Sequence, residues 1–137
     1  MAKIEHFEDL KSWQQGRELT RAIYRVSRTG EFARDYALRD QLRRACVSIT
    51  SNIAEGFERG GDKEFTQFLS QAKGSAGEVR SQLYVAFDEG YLTEAQFDEL
   101  RAIVLDVSRT IAGMIAYLKQ SELRGSKYRR EPAANSA

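Results

Sequence analysis

One histidine, His6, and one cysteine, Cys46, are all that the chain offers for imidazole or thiol chemistry. A carboxylate-bridged metal pair in a helical protein needs Glu-x-x-His motifs on facing helices, and a lone histidine cannot supply them. Zinc needs several Cys or His ligands. Acid–base or nucleophilic schemes built on histidine lack a second member. Cys46 falls on an apolar stripe, where a thiol packs; a reactive one needs exposure and a positive field. Gly74-Ser75-Ala76-Gly77 lacks the GKS/T ending and the preceding strand of a phosphate-cradling loop. The residues therefore predict no enzyme and no catalytic, cofactor or metal site.

What remains is surface. Arg17, Arg21, Arg25 and Arg28, spaced four, four and three, line one side of a helix. Four like charges in a row repel, and only Glu18 is adjacent to relieve them. The row is a solubilising face or a stripe for phosphates or an acidic partner. Arg43, Arg44 and Arg59 extend the candidate binding set. No aromatic residue is expected among these arginines, so RNA would be held by its backbone, without base readout.

A second line, Arg44, Ser48, Asn52, Glu55 and Arg59, runs beside an apolar stripe. Serine and asparagine are poor choices for an exposed helix middle. They suit a hydrogen-bonded seam against a neighbouring helix or a second subunit. A third line, Ser70, Gly74, Gly77 and Ser81, forms a narrow strip of small residues. Each glycine costs a helix about 1 kcal/mol against alanine. Close packing, within the bundle or against another subunit, would offset that cost. Val47, Val85 and Leu105 fall off the core stripes of their helices and join the candidate subunit interface.

Four amphipathic segments position these lines. Apolar residues at spacings of three and four predict helices over roughly 8–28, 37–58, 63–89 and 94–120. Glu31 to Tyr36 is expected to be a short connection. Thr29-Gly30, Gly60-Gly61 and Gly90 punctuate the series; Asp62 is placed as an N-cap, and Thr93 with Gln96 matches a capping box. The only proline is Pro132, so long helices can run uninterrupted before it. The prediction is an all-α protein, an antiparallel up-and-down four-helix bundle over residues 1–120. A basic, disordered tail over 121–137 follows, carrying Arg124, Lys127, Arg129 and Arg130.

At 137 residues the chain fits one domain. A single cysteine forms no internal disulfide, and no secretory signal or membrane-length apolar run is present, so the cytoplasm is the expected location. Net charge is +1, too low for a dedicated nucleic-acid protein, but it is uneven. Residues 1–61 carry 11 basic and 9 acidic side chains, residues 62–118 carry 5 and 9, and residues 119–137 carry 5 and 2.

The segment from Gln41 to Arg59, with Ser51-Asn-Ile-Ala-Glu-Gly56 at its centre, resembles a bacterial family, as do Phe7 to Gln14 and Lys63 to Ser75. The family comprises four-helix-bundle proteins encoded in intervening sequences of 23S ribosomal RNA genes. The likeness covers roughly residues 4–120. Many members have proline where this chain has Thr50. The resemblance implies a ring-shaped homopentamer with no enzymatic activity and no established cellular role. More distantly, the chain is similar to the accessory protein of diversity-generating retroelements, a basic pentamer that engages a reverse transcriptase and nucleic acid. These expectations combine into a homo-oligomeric scaffold that binds RNA or an RNA-handling protein. The alternative is a protein-directed adaptor with no nucleic-acid role.

Overall fold

The structure, a computed structural model, describes residues 3–135, with side chains as far as Ser121. A 3-10 turn at Phe7–Asp9 leads into α1 (Lys11–Val26), α2 (Gly30–Arg34), α3 (Tyr36–Glu58), α4 (Asp62–Asp88) and α5 (Glu94–Asn135). The four long helices form the predicted antiparallel bundle. α1 packs on α3 and α5, and α4 packs on the same two, so α1 and α4 occupy diagonally opposite corners. None of these helices is long and apolar enough to cross a membrane.

One core joins the four. Leu19 and Ile23 enter it from α1; Leu42, Ile49 and Ile53 from α3; Leu69, Val79 and Leu83 from α4; Leu100, Val104 and Ile111 from α5. All recur at the spacings of three and four that predict the helices. Trp13, Val26, Leu38, Phe57, Phe65 and Met114 pack half-buried against the core's edge.

Boundaries differ where local chemistry overrides periodicity. α1 begins at Lys11 rather than near Glu8, because the turn at Phe7–Asp9 is followed by Leu10 in an extended conformation, φ −73° and ψ 128°. The stretch expected to be a plain connection contains α2, which carries Phe32 into the core at 2% exposure. Five residues are too few to show a period. Asp62 is the first residue of α4 and caps nothing; Gly61 holds the N-cap position without a side-chain bond. The cap that does form at α3 is Asp35, whose Oδ1 accepts from the Leu38 backbone N–H at 3.2 Å. Its Oδ2 accepts from the Tyr91 hydroxyl at 2.9 Å, tying the start of α3 to the α4–α5 turn. The Thr93–Gln96 capping box closes as expected, with bonds of 2.9 and 3.1 Å. The last helix continues past the predicted end at Gln120 to Asn135; the side chains of the basic tail lie outside the described residues.

Gly56 sits where α3 and α4 leave no room for a side chain. A Cβ there would stand 2.6 Å from Phe68 Cβ and 3.1 Å from the Phe65 ring, so the glycine of the Ser51–Gly56 segment is fixed by packing. Gly56→Ala is expected to destabilise the bundle by about 1–3 kcal/mol in chemical denaturation. Gly16 plays a milder version of this part at the α1–α3 crossing, against Thr50 Cγ2 at 3.0 Å. Thr50 in place of proline keeps its backbone donor, and its hydroxyl donates to the Val47 carbonyl at 3.0 Å.

Cys46 is fully buried on α3, and burial pushes its thiol up to about 12. At pH 8 about one such thiol in ten thousand is ionised. An aromatic disulfide reagent is therefore expected to leave Cys46 unmodified in the folded protein and to label it fully in denaturant. Rapid labelling without denaturant would show that the thiol is accessible.

Candidate nucleic-acid interface on the first long helix

The core face of α1 is set by Ser12, Gly16, Leu19 and Ile23, all buried. The helical period then places Arg17, Arg21, Arg25 and Arg28 on the far side, and all four are exposed. Among the described residues none of them lies within ion-pairing distance of a carboxylate. The row expected from spacing is thus a line of cations along one outer corner of the bundle.

The other three candidate arginines divide. Arg44 is exposed on α3. Arg43 is engaged internally: its Nε donates to Ser27 Oγ at 2.9 Å, and its guanidinium stands 4.4 Å from the Tyr24 ring centre. Arg59 donates to Glu55 Oε1 at 3.0 Å, faces Glu64 at 3.9 Å and covers the Phe68 ring at 5.3 Å. Arg43 and Arg59 therefore spend their donors inside the subunit. Arg39, not singled out from the sequence, joins the basic side next to Arg43. Its hydrogen bond to Asp40, with further attraction from Arg43 and Arg44, holds the Asp40 carboxyl below its ordinary value.

Aromatic residues do flank the row, contrary to expectation. Arg17 lies over the Trp13 ring, 5.7 Å from its centre, and Tyr24 borders the groove between α1 and α3. Trp13 and Arg17 are one turn apart, so the pairing follows from helix geometry once Trp13 is recognised as an edge residue rather than a core one. A cleft of about 570 Å³ opens there, lined by Glu8, Trp13, Gln14, Arg17, Glu18 and Arg21.

The residues assigned to a subunit interface fall in two places. Ser48 and Asn52 lie in the α3–α4 seam, where Ser48 Oγ is 2.9 Å from Ser75 Oγ and Asn52 Nδ2 donates to the Ser48 carbonyl at 2.8 Å. Glu55 pairs with Arg59 at the end of that line. Ser70, Gly74, Gly77 and Ser81 face outward from α4, opposite its buried stripe, and a Cβ added to Gly74 or Gly77 would meet nothing within 4 Å. Close packing inside the subunit therefore does not account for the two glycines. Val47 and Val85 are exposed at 41% and 47%, whereas Leu105 is half-buried. An apolar cleft of about 450 Å³ between Leu10, Phe57, Phe65, Met114 and Leu118 presents almost no polar group to orient a ligand.

Fold and surface together define a helical-bundle protein with one basic corner and one corner of small residues. The chain belongs to the 23S rRNA-intervening sequence protein family, whose model matches residues 8–113. A crystal structure of a protein of unknown function from the S23 ribosomal protein family of Bacteroides thetaiotaomicron shares the fold. Its TM-score is 0.70 at 18% identity, over 77% of this chain and 95% of that one. No match is found among curated proteins. Neither the family match nor this crystal structure shows the expected likeness to the retroelement accessory protein.

Proposed function

We propose that the protein is a non-catalytic, cytoplasmic scaffold that assembles with itself and carries RNA along the arginine row of α1. The observation behind this reading is the row itself: four exposed guanidinium groups with no carboxylate partner among the described residues. They stand opposite the buried face of α1, and Arg17 touches the fold only loosely, over the Trp13 ring at 5.7 Å. The acidic excess sits elsewhere, with 9 acidic against 5 basic residues over 62–118.

Self-assembly is supported by the outward glycines of α4. Their helix cost of about 1 kcal/mol each is unrecovered in an isolated subunit. A second copy laid along Ser70, Gly74, Gly77 and Ser81, with the exposed Val85 of the same helix beside them, would recover it through close backbone approach. The resemblance implies five copies in a ring. A ring joins the α4 strip of one subunit to a different face of the next; with that face on α3 or α5, the arginines of α1 stay free and are repeated around the outside. A modest charge per chain then becomes a multivalent phosphate surface, to which the basic residues of the tail add. Light scattering at micromolar concentration is expected to return a multiple of the 15.6 kDa chain mass. A mass of one chain would remove the assembly.

The exposed Val47 and Val85 also favour a second reading, a protein-directed adaptor. Recovery of partners from the native host, with and without nuclease, separates the two. Partners lost on nuclease treatment support the RNA scaffold; partners retained support the adaptor.

A further inference from the structure

We propose that the RNA held on this surface is single-stranded and that one unpaired base stacks on Trp13, in the cleft between the Phe7–Asp9 turn and the first two turns of α1. The inference rests on the RNA reading above and names the form of nucleic acid that the same surface takes.

Trp13 rather than charge sets this cleft apart. Arg17 and Arg21 are matched there by Glu8 and Glu18, so the cleft has no net charge, and Glu31 likewise stands with Arg25 in the cleft at the far end of the row. A phosphate set beside Glu8 and Glu18 gains less than one lying along the arginine side of the cleft. A base flanked by phosphates suits it, because the ring is neutral while the adjoining backbone lies against the arginines. Trp13 supplies the platform. The Phe7 ring braces it edge-on, with centres 5.2 Å apart and planes at 64°. Arg17 covers it only loosely, at 5.7 Å, close to the outer limit of a cation–π contact. An entering base displaces that guanidinium from the ring, and the freed group meets the neighbouring phosphate. The two carboxylates only accept hydrogen bonds, so they favour a base edge that carries an amino group. Gln14 is held at the rim by its 2.9 Å bond to the Glu8 carbonyl. Paired bases inside a duplex cannot reach the ring, which makes strandedness the discriminating property.

Trp13 is the only tryptophan, so its emission reports on this one position. Wild-type protein is titrated with a short labelled RNA, single-stranded or annealed to its complement, while label anisotropy and Trp13 fluorescence are read together. The single strand is expected to raise anisotropy and quench Trp13; the duplex is expected to leave Trp13 unquenched. Oligo(A) should quench more than oligo(U) of equal length. Trp13→Leu is expected to weaken single-strand affinity roughly 5- to 150-fold, with Trp13→Phe recovering most of it. A rise in anisotropy with unchanged Trp13 emission, or equal quenching by duplex, overturns the stacking proposal and leaves the RNA scaffold standing. No anisotropy change with either form overturns both.

Discussion

Truncation of Ile49 or Ile53 to alanine is expected to lower the unfolding free energy by about 2–5 kcal/mol in each case. Both side chains are 0% exposed, one turn apart in the middle of α3. α3 packs extensively on both α1 and α4, so a void there unseats two helix pairs. The surroundings cannot collapse easily into it. On the α1 side the backbone at Gly16 already crosses close to Ile49 Cγ2, 3.3 Å from where a Cβ would sit. On the α4 side Phe65 and Phe68 already press on Gly56, leaving no room for a Cβ. Urea titration at one fixed protein concentration reads the change, since assembly links stability to concentration. Losses under about 0.5 kcal/mol for both variants, the range of surface substitutions, would mean that this face of α3 is not the core.

Replacing Arg17, Arg21 and Arg25 together with glutamate is expected to abolish RNA binding while leaving helicity and assembled mass unchanged. The three side chains are exposed, lack carboxylate partners among the described residues and stand opposite the buried face of α1. Their removal costs the fold little. Reversal takes each subunit from +1 to −5, and an assembly repeats that change in every copy. The corresponding change at Arg59 should have much less effect on RNA, because that guanidinium is committed to Glu55, Glu64 and Phe68. A triple variant that bound RNA as well as the wild type would place the phosphate contacts elsewhere.

The four long helices were legible because each carries a continuous apolar stripe and because glycines follow α3 and α4 and a capping pair opens α5. Thr29-Gly30, expected to end the first helix, instead opens α2, and α1 stops earlier, at Val26. Gly60 and Gly90 adopt φ of 83° and 78°, which other residues rarely do, so they mark true chain reversals. Short elements left no such trace. α2 spans 5 residues and the turn at Phe7–Asp9 spans 3, both shorter than the window that reveals a period. Asp35 was missed as a cap although its bond to Leu38 is local, because periodicity starts the helix at 37 and leaves Glu31 to Tyr36 as connection. Its second bond, from Tyr91 56 residues away, is brought about only by the fold. The arginine row was visible from spacing alone. Which arginines are free was not, since Arg43 is tied down across two helices by Ser27 and Tyr24. Trp13 shares the spacing of Gly16, Leu19 and Ile23, and only the fold shows that it is left half-buried at the core's edge, where Arg17 one turn on reaches its ring. The strip on α4 was found as a pattern, but its outward direction required the buried face of that helix to be known.

The central claim is that unpaired arginines on α1 hold RNA by its phosphates. Its most direct measurement is an anisotropy titration of mixed cellular RNA with wild-type protein, repeated as salt is raised. Four phosphate contacts on single-stranded RNA, one for each of Arg17, Arg21, Arg25 and Arg28, predict about a 50-fold loss of affinity between about 50 and 200 mM salt. An assembly that engages several rows at once would show a steeper fall. Absence of binding at tens of micromolar protein in low salt, or an affinity that ignores salt, would contradict the account and favour the protein-directed adaptor.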